Sequence, residues 1–347
     1  MRIEPDLDRA GLLELLRGRY LLDATRLTFV PYGIDSWSYV AACRDGSQVF
    51  VKLSRHAIPT PSDVPLLVAL AARQVAVPCP VADREGGFLN AVDGYEVLVL
   101  EYLEGRSLEA ETAWPDDLYA QVAETVAAVH ASTNAVRHLV ERRELYDLPF
   151  LPRFAGTLTA IEDRAGLPAG DDRTIATLRE MVHPRAQALR MAIARLEALR
   201  DHARVRDPGQ VLCHTDIWGS NLLRSEDGTL HLLDWNGALL GPPEHDLFMF
   251  AGTEFFPAAR FGWFLDRYEA AFRRVHLDAE TFGYYFYRRT LEDLAWFIDA
   301  IAESRREAMG PDEMLQIIDG NLAELPRLEG RISQVSRVLA KARQPSA

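Results

Sequence analysis

The sequence contains only three cysteines, Cys43, Cys79 and Cys213, and they form no CxxC pair. That scarcity excludes a disulfide framework and a cysteine zinc site, and it suits a reducing compartment. No run of 18 apolar residues occurs, so no membrane-spanning helix is expected. The opening "MRIEPDLDRAG" has early acids and no apolar stretch, unlike a signal peptide. A cytoplasmic protein without a membrane partner is expected, with a monomer favoured. Basic charge is also short: 38 Lys and Arg stand against 51 Asp and Glu, a formal net charge of −13. Nucleic-acid binding needs a basic surface to displace counterions, so a nucleic-acid partner is not expected. The negative balance favours a cationic partner, although it also serves solubility. Neither GxxxxGK[ST] nor GxGxxG occurs, which removes two common glycine cradles for phosphate.

What is present suffices for a sizeable core, since 347 residues that are 48% hydrophobic and 26% charged lie well inside the globular class. A helix is expected over 6–19, with Leu12, Leu15 and Leu16 on one face. "LTFVPYGIDSWSYVAAC", "SQVFVKLS" and "YEVLVLEYL" are rich in β-branched and aromatic residues and read as strands. "TPSDVPLLVALAARQ" between them reads as a helix, capped by Ser62 or Asp63 with Pro65 in its first turn. From about 115 the pattern turns helical. Leu118, Val122, Val126 and Val129 form a core-facing stripe, and 150–205 holds two further helical stretches. The short apolar segments 210–213 and 229–233 look like a strand pair, and the tail beyond about 335 reads as polar and frayed.

Those two segments flank "VLCHTDIWGSNLL" and lead into "LHLLDWNGALLGPPEHDL". Asp216 and Asn221 are five apart across "IWGS", whose Gly219 and Ser220 permit a tight loop that returns both side chains to one place. Asp234 follows a short apolar strand and could project beside them. Oxygen ligands from an Asn–Asp pair suit a hard cation, and Mg²⁺ held by few protein ligands plus phosphate oxygens fits best. Asp216 is then free to face a hydroxyl nucleophile. Far upstream, Lys52 lies in the apolar strand "VFVKL", where a lysine needs an anionic partner that a phosphate would supply. His214 reads as a residue that fixes the loop through its ring nitrogens. Strand lysine, HxDxxxxN loop and strand-end aspartate, in that order, form the protein-kinase arrangement. Thr215 replaces the arginine of the kinase HRD loop, and Asp234 is followed by Trp235 and Asn236 rather than Phe-Gly.

On these segments, with "VFVKL" and "YRRTLEDLAWFIDAI", the chain resembles the aminoglycoside phosphotransferase and choline kinase-like family. Its motifs are nearest to the spectinomycin phosphotransferase branch. The resemblance implies an α+β, two-lobed protein-kinase-like fold, with a β-rich nucleotide-binding N-lobe over 1–104 and a helical catalytic and substrate-binding C-lobe over 105–347. It implies Asp216 as the catalytic aspartate, Asn221 and Asp234 as Mg²⁺ ligands, and Lys52 on the α- and β-phosphates of ATP, with GTP not excluded. The backbone of "EYL", Glu101 to Leu103, would read the base. Gly33 would sit in the nucleotide loop, Asp63 would stand in for the lysine's acidic partner, and Asp246 would brace the catalytic loop. The implied activity is O-phosphorylation of a small cationic molecule, an aminoglycoside or aminocyclitol of the spectinomycin type. A metabolic choline, fructosamine or sugar kinase and a catalytically silent kinase-like binding protein are the alternatives.

Periodicity adds an acceptor-side expectation. Over 284–303, Tyr287, Leu291, Leu294, Ile298 and Ile301 make an apolar face, while Glu292, Trp296, Asp299 and Glu303 fall on the opposite side. In the resembling family this helix lines the substrate cleft, which makes Glu292, Trp296 and Asp299, together with Trp218 in the loop, candidate acceptor contacts.

Overall fold

The computed structural model describes residues 3–31, 36–55, 64–109, 114–163, 172–206, 209–252, 256, 258–272, 276–303 and 309–342. Gly33 and Asp63 lie outside them. In chain order come α1 (Arg9–Arg19), β1 (Ala24–Val30), β2 (Trp37–Cys43), β3 (Gln48–Arg55), α2 (Val64–Ala71), β4 (Leu89–Val92), β5 (Tyr95–Glu101) and β6 (Arg106–Ser107). Helices α3 (Asp116–Ala131), α4 (Thr133–Val136), α5 (Leu151–Asp163), α6 (Asp172–Val182) and α7 (Ala186–Val205) follow. Four short strands come next: β7 (Val211–Cys213), β8 (Leu222–Arg224), β9 (Leu230–Leu232) and β10 (Leu239–Gly241). Helices α8 (Glu244–Leu247), α9 (Ala258–Ala271), α10 (Ala279–Ala302), α11 (Pro311–Glu324) and α12 (Leu328–Ala342) complete the chain. Two compact units result, one of 1–142 with 212–240 and the other of 143–211 with 241–347.

The first unit is built on a five-stranded antiparallel sheet in the order β1-β2-β3-β5-β4. Along β3, Val49, Val51 and Leu53 are buried and pack with Leu12 and Leu16 of α1, Tyr39 of β2 and Val97 and Val99 of β5. The two-residue period of a strand sends Phe50 and Lys52 to the other face. A one-residue slip would exchange the faces and bury the lysine in this core, so the apolar pattern enforces the register that pairs Lys52 with Ser38 and Leu98. Helix α1 starts later than 6 because the Asp8 carboxylate accepts the Gly11 N–H at 2.9 Å and caps it there. Strand β4 is an addition to the sequence reading. Its hairpin with β5 turns on Asp93 and Gly94, at φ 51° and 74°, the left-handed pair that Asp-Gly supplies to a type I′ turn.

One buried acid ties α1 to the sheet's edge. Asp83, 5% exposed, accepts from the Asn90 amide at 3.1 Å, from the backbone N–H of Gly87 and Glu85, and from Arg19 at 2.9 Å. The Asn90 bond, then the backbone donors and Arg19, hold its carboxyl down to about 2. A folded-state value below the unfolded one means stability that is present above the ordinary carboxylate range and is lost as pH falls through that range toward 2. Asp83→Asn is therefore expected to lower the melting temperature at pH 7, with the gap from wild type closing as pH falls from about 4 toward 2. Thermal melts across that range check it, and a gap that stays constant would show that the charge is not what stabilises.

The second unit is helical and centres on α10, which packs against α7, α11 and α12. The expected apolar face is in place, with Leu291, Leu294 and Ile298 fully buried and Tyr287 and Ile301 each 6% exposed. Gly283 permits a close crossing, since a Cβ there would stand 2.6 Å from Ile332 of α12.

The fold corrects four expectations. Segments 210–213 and 229–233 do not pair with each other: β7 pairs with β10, and β9 forms a hairpin with β8. For β9, strand β8 is a partner nearer in sequence and cheaper to close, whereas β7 takes β10, a partner farther along the chain than the expected one. Three helices rather than two occupy 150–205, because the stretch ahead of Pro184 holds both α5 and α6; the break at Pro184 itself, which lacks an N–H and sits in a 3-10 turn, falls where the sequence places it. The tail is helical to 342, held by Ile332, Val335 and Leu339 on one buried side. Asp299 is not on an outward stripe but is 5% exposed, because α5 covers that side of α10.

Candidate active site

The loop after β7 is organised by the histidine at its head. His214 is fully buried; its Nδ1 lies 3.3 Å from the Asp216 N–H and its Nε2 lies 2.8 Å from the Leu233 carbonyl. A backbone N–H can only donate and a carbonyl can only accept, so the ring is the neutral tautomer with its proton on Nε2. The Trp235 ring meets it edge-on at 4.8 Å, and Trp235 donates from Nε1 to the Leu232 carbonyl at 2.9 Å.

The same loop returns Asn221 to Asp216. Trp218 N–H donates to the Asp216 carbonyl at 3.0 Å and Asn221 N–H donates to the Trp218 carbonyl at 2.9 Å, closing a 3-10 turn over Gly219–Asn221. Asn221 Nδ2 then donates to the Asp216 backbone carbonyl at 2.9 Å and to its carboxylate at 2.8 Å. Gly219 is required here, since a Cβ would lie 2.9 Å from the Leu108 carbonyl oxygen. Asn221 itself is 9% exposed, Asp216 is exposed and Trp218 is half-buried.

The turn bearing Asp234 is sewn onto that loop. Leu233 N–H donates to the Asn221 carbonyl at 2.8 Å, while the Leu233 carbonyl takes the histidine proton. Asp234 sits at φ 58°, left-handed, which swings its carboxylate out of the β9 direction. Its Oδ1 accepts from Lys52 Nζ at 3.1 Å. The residues at 52, 214, 216, 221 and 234, far apart in sequence, thus meet in the first unit. At the sheet's other end, β5 stops at Glu101, whose N–H donates to the Cys79 carbonyl and whose Oε1 accepts the Cys79 N–H at 3.0 Å. Leu103 lies just past the last ladder pair. The sequence reading marked Thr215 only as a departure from the kinase loop, without its left-handed φ of 78°, and it passed over Gly237, although the Asn-Gly pair at 236–237 is a turn signal.

The donor set suits a hard metal ion. Asn221 spends its amide nitrogen on Asp216, so its remaining Oδ1 can only accept, and Asp234 offers a second carboxylate oxygen on a half-exposed side chain. Two oxygen ligands of this kind match Mg²⁺ better than a soft transition metal.

In the second unit the acceptor-side candidates are already engaged. Glu292 lies 3.6 Å from Arg288, which also contacts the buried Glu144 at 3.1 Å. Asp299 accepts from Thr157 at 2.6 Å and from Arg153 at 2.9 Å, and Arg153 also pairs with Glu303. Trp296 between them is 41% exposed. Asp246 is buried in α8.

The phosphotransferase enzyme family matches residues 38–289. Among solved structures, spectinomycin phosphotransferase in complex with ADP and spectinomycin superposes with a TM-score of 0.76 at 17% identity, covering 94% of this chain and 99% of its own. A microcompartment-associated aminopropanol kinase matches with a TM-score of 0.62 at 17% identity, covering 94% and 99%. A choline kinase from Streptococcus pneumoniae matches with a TM-score of 0.59 at 18% identity, covering 91% and 97%. At these identities the shared feature is the fold, an antiparallel sheet followed by a helical part as the sequence implies.

Proposed function

We propose, from the premise that the chain belongs to the phosphotransferase enzyme family, that it moves the γ-phosphoryl group of ATP to a hydroxyl of a small cationic molecule. The leading acceptor class is an aminoglycoside or aminocyclitol of the spectinomycin type. The observation that carries the reading is the junction in which Lys52 bonds Asp234, Asn221 bonds Asp216, and the Leu233 N–H beside Asp234 ties the two pairs together at the Asn221 carbonyl. A binding scaffold needs no such set. In the proposed division, residues 1–104 hold the nucleotide, with the Leu103 backbone reading the base and Lys52 gripping the α- and β-phosphates. Residues 105–347 carry the catalytic loop and the acceptor contacts, Trp218, Glu292 and Trp296, with Asp246 and His214 in support. Asp299 acts there through the Arg153 and Thr157 it already binds.

Asp216 orients the acceptor hydroxyl and takes its proton late in the transfer. An ordinary carboxylate is roughly 12 pKa units more acidic than water, the stand-in for an alcohol. Full deprotonation before attack would cost on the order of 16 kcal/mol, whereas the loose phosphoryl transition state asks mainly for positioning. Asn221 and Asp234 would hold Mg²⁺, which when bound neutralises charge on the phosphate oxygens. ADP and spectinomycin in one neighbour support the nucleotide and the acceptor class. A choline kinase and an aminopropanol kinase among the neighbours favour a second reading, a metabolic kinase for an amino alcohol. Both readings share a cationic acceptor. ADP release with spectinomycin, aminoglycosides, choline and glycated amines decides between them, and no acceptor-dependent turnover with ATP or GTP would refute both.

Lys52→Ala is expected to raise KM for ATP and lower kcat while leaving acceptor affinity unchanged. A charge-assisted hydrogen bond is worth about 1.5–3 kcal/mol, so the ATP effect is about 10- to 100-fold. Calorimetry that found acceptor affinity lost as far as ATP affinity would contradict this division.

A further inference from the structure

Two backbone positions at the junction are left-handed without being glycine: Thr215, at φ 78°, immediately before the catalytic aspartate, and Asp234, at φ 58°. Aspartate tolerates that region through its short polar side chain, but a β-branched residue there is a true outlier. Something local must repay the strain. The Thr215 hydroxyl lies 3.3 Å from the Gly237 carbonyl and donates to it, which joins the catalytic loop to the far end of the Asp234 turn. At the near end, His214 already holds Leu233. The pair His214–Thr215 therefore grips the turn on both sides of Asp234. Gly237 is matched to this grip: a Cβ there would stand 2.4 Å from the Thr215 hydroxyl oxygen and 3.3 Å from the His214 carbonyl.

We infer that Thr215 is a positioning residue, whose strained backbone and hydroxyl tether to Gly237 hold Asp216 at a set place relative to Asp234. Where protein kinases carry the HRD arginine that reads a phosphorylated loop, this chain has a threonine whose hydroxyl bonds within the site. The inference rests on the proposed roles of Asp216 and Asp234. It separates two effects that a structural residue would couple. Removing the strain together with the tether leaves the fold intact and removes one restraint on where Asp216 stands relative to Asp234.

Four variants test it: Thr215→Gly, Thr215→Ser, Gly237→Ala and the double Thr215→Gly/Gly237→Ala. The readouts are melting temperature, exchange of the Asp216 amide that faces His214 Nδ1, and kcat and KM from ADP release with spectinomycin, or with choline where spectinomycin gives none. Thr215→Gly is expected to melt at or above wild type, to exchange the Asp216 amide at least about tenfold faster, and to lose about tenfold or more in kcat with both KM values within about twofold, the pattern of a misplaced reacting group. Thr215→Ser keeps the donor and should hold kcat and exchange near wild type. Gly237→Ala should lose both stability and kcat, and the double variant should regain stability alone. Wild-type exchange and wild-type kcat in Thr215→Gly would overturn the inference, and so would unchanged exchange where no acceptor turns over. Asp216→Asn serves as the control. If that variant stays active, the proposed mechanism falls; if it is inactive while Thr215→Gly is fully active, only the tether falls.

Discussion

Asp216→Asn is expected to lower kcat by roughly 10²–10⁴, the range for a residue that handles a proton in the transition state. The variant is well matched to the site. Asn221 Nδ2 donates to the Asp216 carboxylate at 2.8 Å and to its backbone carbonyl at 2.9 Å, and an asparagine oxygen at 216 can accept the first of these bonds. The second is untouched, as is the Asp216 N–H beside His214. Fold and nucleotide affinity should therefore survive, and the loss should appear in kcat with little change in KM for ATP. A variant that keeps more than about a third of wild-type kcat at saturating substrate would remove Asp216 from the chemistry.

Removing the charge at Asp234 should be as damaging for a different reason. Asp234 is left-handed at φ 58°, and alanine there would add about 1–2 kcal/mol of backbone strain. Asp234→Asn avoids the confusion, because asparagine tolerates that region and changes only the charge. Turnover is expected to fall about 10²-fold or more, beyond the roughly 10- to 100-fold that losing a metal ligand's supporting partner costs. The Mg²⁺ concentration for half-maximal rate should rise with it. Lys52 loses its ion-pair partner in this variant, but the Asp234 side chain is 48% exposed, so little of the stability goes with the pair. Unchanged Mg²⁺ dependence would refute the assignment and turn attention to Asn236, exposed two residues further on.

Much of this site is legible in one dimension because the relevant distances are short along the chain. Asp216 and Asn221 are separated by a loop that Gly219 lets close, and a strand-end aspartate follows one short hairpin later. Lys52 was legible through composition, since a lysine inside an apolar strand needs an anionic partner. The structure added the alternation that turns it away from the core. The Asp93–Gly94 hairpin carried a signal too, in the residue pair that accepts two left-handed positions.

What the sequence by itself determined, then, is the run of strands followed by helices, from local propensity and period, and the family, through the resemblance of its motifs. Only the tertiary structure decided which groups are held and by what. Helical periodicity places Asp299 on an angular position of α10, yet nothing in it says that α5 will bring Arg153 and Thr157 over that position and bury the carboxylate. Strand-like composition at 210–213 and 229–233 does not reveal that each finds another partner, because composition marks a segment as a strand without naming the segment it pairs with. The left-handed Thr215 was invisible for the same reason. Its backbone angle is unfavourable to its own residue type, and it exists because a carbonyl 22 residues along accepts its hydroxyl at a glycine that leaves the space. Local rules describe what each residue prefers, and contacts between distant segments decide where that preference is overruled.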